Sequence, residues 1–129
     1  MKTEFKKIIA GYTPLAWESP VNWKNLADPS QSSFLLSLDL KQKMKLVKPD
    51  NAIYCDKNYG PVFGGYGSGW DLAIRDNCLE KSLSCSNFPS NYNSETPYSQ
   101  SQKSISAFSG AVEGTKFKIL EYEVYKVIK

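Results

Sequence analysis

A chain of 129 residues with ordinary globular composition is long enough to bury one core and short enough to be a single domain, taken as residues 1–129. Its 16 Lys and Arg against 13 Asp and Glu leave a net charge of only +3, carried almost wholly by lysine, and Arg75 is the sole arginine. That balance disfavours nucleic acid, which is read largely through arginine, no apolar run reaches membrane-spanning length, and the absence of histidine removes the commonest general base and metal ligand together.

In chain order, Phe5–Gly11 is a short β-prone run stopped by Tyr12-Thr13-Pro14, with Trp17 just beyond. Asn22–Ala27 is the one place where a helical turn is expected, closely bounded by Pro20 and Pro29. Ser33–Leu40 alternates with period two, and that pattern puts Phe34, Leu36, Leu38 and Leu40 on the inner face, away from Leu35, Ser37 and Asp39. Lys41–Val47 alternates as well, with Met44 and Leu46 opposite the lysines, so the two runs form a hairpin closing near Leu40–Gln42. The lysines read as a solvated face.

Pro49-Asp50-Asn51 turns the chain into a short strand at Ala52–Cys55, and Asp56–Gly60 turns it again. Tyr59–Ile74 (YGPVFGGYGSGWDLAI) then organises the rest: one strand ends at Val62–Phe63, the next begins at Asp71–Ile74, and glycines crowd the crossing between them. Glycine is required where φ is positive or a second backbone comes close, which is expected at Gly64 or Gly65. A phosphate-binding loop is the other reading of such glycines, but no Gly-Lys-Ser/Thr ending is present, position 70 is Trp, and Asp76-Asn77 turns the chain before a helix can start.

Asp76–Lys103 is a long polar segment with a strand fragment near Ser84–Phe88, and Trp23, Tyr92 and Tyr98 are loop aromatics exposed for contact or partly buried beneath the loops. Ser104–Ser109 begins another strand, turned at Gly110–Gly114. Phe117–Ile128 closes the chain as its strongest strand; Leu120, Tyr122 and Val124 share one face, and a bulge near Ile119–Leu120 would bring Phe117 and Ile119 to the same side. Seven or eight short strands with no long helix predict an all-β fold, an antiparallel two-sheet β-sandwich with short helical turns. Its expected core is Leu36, Leu38, Ile53, Phe63, Leu72, Ile74, Phe108, Leu120, Tyr122 and Val124. Cys55, Cys78 and Cys85 form an odd set without an export signal, which reads as reduced thiols in the cytoplasm, with Cys78 and Cys85 in the polar segment the candidates for oxidant sensing and neither spaced for metal.

The ordered markers Gly11-Tyr12-x-Pro14-Leu15-x-Trp17, Ser33-Phe34-Leu35-x-Ser37-Leu38, Ala52-Ile53-Tyr54, Tyr59-Gly60-Pro61-x-Phe63-Gly64-Gly65, Trp70-Asp71-Leu72-x-Ile74 and Glu121-x-Glu123-Val124-Tyr125 together resemble the TLDc family, found in oxidation-resistance and BTB-linked TLDc proteins. The resemblance runs from about Lys7 to Ile128 and picks out Gly11, Tyr12, Trp17, Phe63, Gly64, Gly65, Asp71, Leu72, Glu123 and Val124 as family-motif positions. It implies a two-sheet sandwich, protection from oxidative stress and binding to the vacuolar proton pump (V-ATPase), without an accepted reaction or cofactor. It also implies a domain shortened at its N-terminus, since family members carry further elements before the Gly-Tyr strand. An uncovered strand edge open to self-association is then expected there. Tyr66–Gly69 and Asp76–Lys103 depart from the family pattern.

Three functions compete. The first is a non-catalytic protein-interaction module that neither enters membranes nor binds nucleic acid. The second is an enzyme using Asp71, Glu121 or Glu123 for acid–base work, with Cys78 beside them. The third is sugar binding through Trp70 and the polar loop.

Overall fold

A computed structural model describes residues 1–65, 67, 69–94, 108–111 and 115–128. Short strands dominate because brief apolar or alternating runs are closely punctuated by Pro, Gly and Asn. In chain order the strands are β1 (Lys2–Thr3), β2 (Ile9–Tyr12), β3 (Lys24–Leu26), β4 (Phe34–Ser37), β5 (Gln42–Leu46), β6 (Ile53–Cys55), β7 (Tyr59–Phe63), β8 (Leu72–Arg75), β9 (Ser84–Cys85), β10 (Tyr92–Ser94), β11 (Lys116–Phe117) and β12 (Ile119–Glu121). A 3-10 turn, Pro49–Asn51, separates β5 from β6.

Among the described residues all strand pairings are antiparallel. One sheet has the order β10-β5-β4-β2, a second β11-β9-β8-β7-β6-β3, and β1 with β12 makes a two-stranded ribbon. The two large sheets share one core, with Ile9, Leu35, Met44 and Leu46 from the first meeting Ile53, Phe63, Leu72 and Ile74 from the second. This is the antiparallel sandwich expected from the strand pattern.

The hairpin β4–β5 forms as expected, with Met44 and Leu46 inward, but β4 presents the opposite face to the core. Leu35 is fully buried, Leu36 is half-buried on the outer side, and Leu38 is 58% exposed in the turn. The register explains the correction: Leu35 lies opposite Met44 and Leu36 opposite Lys43, so Leu36 must share the lysine face. The small polar neighbours of Leu35 survive burial because their hydrogen bonds are made. Ser33 donates to Asp28 Oδ2 at 2.7 Å, and Ser37 Oγ accepts from the Leu40 amide at 3.2 Å. On the outer face Phe34 is covered by Tyr12, 5.2 Å between ring centroids, and by Lys43, whose Nζ sits 4.1 Å from the ring centre.

Asp28 anchors this corner. Burial pushes its carboxyl up, but the hydroxyls and amides of Ser30 and Ser33 outweigh that and hold it below the ordinary carboxylate value. A lowered folded pKa gives stability that is present above the unfolded value of about 4 and lost as pH falls through the folded one. Asp28→Asn is therefore expected to lower the melting temperature at neutral pH, with the gap from the parent closing under acid. Thermal melts from pH 7 to pH 2 check this; a gap that stays constant with pH contradicts it.

Other elements differ from expectation. The first β-prone run begins as a turn: Lys6 donates to Thr3 O at 2.8 Å with positive φ, and the strand starts only at Ile9. Asn22–Ala27 holds β3 rather than a helical turn, because pairing of Lys24–Leu26 with Ile53–Cys55 outcompetes a helix too short to nucleate. The first residues do pair: Lys2 and Thr3 face Glu121 and Ile119, and the Ile9 amide donates to Met1 O at 3.0 Å, so the edge expected to be bare is partly covered.

The C-terminal strand is corrected most. Phe117 and Ile119 are fully buried, while Leu120, Tyr122 and Val124 are exposed, Val124 by 81%. A register irregularity does fall opposite Leu120, but the chain leaves the sheet after Glu121, so no partner strand turns the later residues inward. Ile53, Phe63, Leu72, Ile74 and Phe108 are buried as expected. The expected strand at Ser104–Ser109 and the turn at Gly110–Gly114 lie largely outside the described residues, although Phe108 and Ser109 are seen in a turn. All three cysteines are free thiols, so reduction with dithiothreitol is expected to leave the melting temperature unchanged, and a drop of several degrees would overturn that.

Candidate functional site

The glycine crossing joins β7 to β8, as their pairing of Phe63 with Leu72 requires. Gly64 has φ +95°, and a Cβ there would sit 2.6 Å from Asp71 Oδ2 and 2.9 Å from the Asp71 amide. Gly65 lies against Asn51, 2.6 Å from where its own Cβ would be. Gly11 answers Phe63 across the sandwich: a Cβ on Gly11 would lie 2.5 Å from Phe63 Cε2, so only glycine admits the ring. Trp17 meets the same ring edge-on at 5.3 Å, and Tyr12 lies outside, over Phe34. Gly11 and Trp17, some fifty residues earlier in the chain, thus close on the Phe63 ring at the start of the Gly64 turn.

Asp71 is the polar centre of this knot. It is fully buried, and its carboxylate accepts hydrogen bonds from the amides of Ser90 at 2.7 Å, Asn91 at 2.8 Å and Tyr92 at 3.1 Å, and from Asn91 Nδ2 at 2.9 Å. Burial pushes the carboxyl up, and these four donors oppose it. Asn91 continues the link: its side chain donates to Gly69 O, and its carbonyl accepts from Val47 at 2.8 Å. Asp71 therefore ties the entry of β8 in one sheet to the entry of β10 in the other. Tyr92, expected as a loop aromatic, is fully buried there, with its hydroxyl donating to Ala52 O at 2.6 Å and its phenol pushed far up by burial. Leu72 follows in the core. This group ties the two sheets together, and Asp71, Asn91 and Tyr92 are closed to solvent.

The acid–base residues do not converge. Asp71 is sealed from solvent, whereas Glu121 and Glu123 are exposed, Glu123 bonded to its neighbour Tyr125. Cys78 is buried and Cys85 half-buried, and burial raises both thiols above their ordinary value, so neither has the exposed low-pKa character of a sensing thiol. This corrects the exposure expected for Cys78. Among the described residues no group of three His, Cys, Asp or Glu is placed to hold a metal ion, and no helix is long and apolar enough to cross a membrane. Tyr98 lies outside the described residues.

Among the described residues, two apolar groups lie outside the main core. One is the C-terminal segment after β12: Tyr122, Val124, Tyr125, Val127 and Ile128 are all more than half exposed. The other is the outer face of the six-stranded sheet. A register shift between Tyr59 and Val62, at Gly60-Pro61, sets both on that face with Tyr54 and Ala73. Trp70 packs there at 5.5 Å from Tyr54 and 5.2 Å from Tyr59, half-buried among aromatics rather than standing free as a sugar platform. Trp23, 50% exposed, stacks on Tyr54 at 5.9 Å. Beside them runs a groove of about 170 Å³ lined by Trp17, Glu18, Ser19, Asp56, Tyr59, Gly60 and Pro61. Sequence reasoning missed this groove because its walls come from a loop, a turn and a bulge that no periodicity marks.

A family model for the TLDc domain matches residues 1–128. No curated protein and no solved structure matches the chain.

Proposed function

The chain belongs to the TLDc domain family, and on that footing we propose that it is a non-catalytic protein-interaction module of the cytoplasm that docks on the V-ATPase and contributes to oxidative-stress resistance. The observation that carries this reading is the exposed segment Tyr122–Ile128. Its family-motif residues Glu123 and Val124 project into solvent with Tyr125, Val127 and Ile128 rather than packing on the sandwich. A contiguous exposed run of large apolar residues is unusual on a soluble domain and marks a surface that another chain covers. Lying outside the sheet after β12, the segment suits addition as a strand to a partner's sheet edge, where main-chain hydrogen bonds supply affinity and side-chain pockets supply specificity. The buried Asp71 and the raised thiols support a binding role over an acid–base or thiol reaction.

The test is capture of purified V-ATPase subunits by the immobilised chain and by a Val124→Asp, Tyr125→Ser variant. Parent capture and a loss of binding in the variant, with an unchanged melt because both side chains are exposed, are expected. No capture by the parent removes this partner, and equal capture by the variant removes the segment as the surface. The wider role is tested by survival of expressing cells under hydrogen peroxide; survival no better than that of control cells would remove it. The same segment makes self-association the competing outcome, read by light scattering across a concentration series.

A further inference from the structure

We propose that the groove between Trp17 and Tyr59 is a second recognition site, which receives a lysine side chain from an extended segment of a partner protein. Aromatic side chains and carboxylates line it together. Trp17 is 38% exposed at one wall and supplies the accessible ring, while Tyr59 lies at another wall with one ring face already taken by the Arg75 guanidinium, 3.8 Å from the centroid, and contributes its edge and bulk. Such walls suit the aliphatic stem of a long cationic side chain, and ring faces attract its charge.

The two carboxylates differ in what they leave open. Glu18 is paired with Lys24. Asp56 has no ion-pair partner among the described residues, although Lys57 is its neighbour in sequence. Its position is set by local donors: the Asn58 amide gives a hydrogen bond to Oδ1 at 2.8 Å, Asn58 Nδ2 another at 3.1 Å, and the Tyr54 hydroxyl reaches Oδ2 at 3.1 Å. The Asn58 amide bond, foremost among these, holds the carboxyl below its ordinary value, so the groove keeps a fixed anion at neutral pH.

The count of donors selects the ligand. With Oδ1 taking two hydrogen bonds and Oδ2 one, a single accepting position remains on Oδ2. A guanidinium fork wants both oxygens of a carboxylate, whereas an ammonium is a point charge satisfied by one. The site therefore favours lysine over arginine. A neutral side chain of the same length would gain the stem contacts and lose the charge.

The experiment is titration of the isotope-labelled chain with three blocked pentapeptides that place Lys, Arg or norleucine between Gly pairs, followed by nuclear magnetic resonance. Shifts are expected at the Trp17 indole, Tyr59 and the Asn58 amide. Lys binding is expected to be tighter than norleucine by about tenfold, as for a partly desolvated ammonium on a carboxylate and a ring, and to weaken with added salt. Asp56→Asn, which keeps the size and the local turn, should bring the Lys peptide down to the norleucine level. A Trp17→Leu variant should weaken both peptides. Equal binding of the Lys and norleucine peptides, tighter binding of the Arg peptide, shifts confined to residues outside the groove, or no shift at all would each overturn the proposal.

Discussion

Replacing Asp71 by alanine is expected to cost about 4 kcal/mol, because a buried donor left without its acceptor forfeits roughly 1–3 kcal/mol and three backbone amides lose theirs at once. The carboxylate is inaccessible to water, and the amides of Ser90, Asn91 and Tyr92 converge on it from the segment that opens β10. Without it those amides have no replacement nearby unless the segment unwinds. Unwinding would free Tyr92 from Ala52 O and release Asn91 from Val47, opening the seam between the sheets. A domain of this kind has about 5–15 kcal/mol in all, so the variant should be marginal. Asp71→Asn should fall between the two, since its amide keeps one acceptor oxygen but turns an NH2 toward other donors. Urea unfolding followed by Trp fluorescence measures both. A loss below about 1 kcal/mol for the alanine variant would mean that water or a relaxed loop satisfies the amides, and that the knot does not hold the sheets together.

Gly64→Val is the second large loss, expected at about 3 kcal/mol, the upper end for a strained backbone position. Two costs add. The positive φ of +95° excludes a β-branched residue, and the new Cβ would fall 2.6 Å from Asp71 Oδ2 and 2.7 Å from Asn91 Nδ2. Gly67 separates the terms: its φ is +90°, yet a Cβ there meets nothing within 4 Å. Gly67→Val should therefore show the conformational cost alone, about 1 kcal/mol. Thermal melts of the two variants that coincide would deny the steric term, and a Gly64→Val melt equal to the parent's would make the glycine incidental. Because the Gly64 Cβ would press on Asp71 itself, Gly64→Val and Asp71→Ala should be non-additive, the double variant losing less than the sum.

The sequence by itself determined the all-β class, the central strands at 33–47, 52–63 and 71–75, where most turns fall, the family, and the need for glycine at Gly64; it did not mark β1, β3 or β10. The properties it determined are local. Alternation at Lys41–Val47 and the glycine, proline and asparagine breaks act within a few residues, and a positive φ after a β run has few other solutions. Family-motif residues such as Gly11 and Phe63 were visible as markers, but not that one is the seat for the other's ring.

Which face each strand turns inward was decided only by tertiary structure. Period two is symmetric under exchange of the faces, so Ser33–Leu40 offered its leucines to either side. The pairing of Ser37 with Gln42 across the hairpin set the register, and with it buried Leu35 and turned Leu36 toward the lysines. At the C-terminus the same symmetry buried Phe117 and Ile119 through pairing with β9 and β1 and left Leu120, Tyr122 and Val124 in solvent. Long-range hydrogen bonds decided the rest. Asp71 reaches Ser90–Tyr92 across some twenty residues of polar chain that carries no periodic signal, which is why Tyr92 read as a loop aromatic and proved to be core. The groove at Trp17, Asp56 and Tyr59 likewise exists only because three irregular segments meet over one bulge, a matter of packing that local residue preferences do not encode.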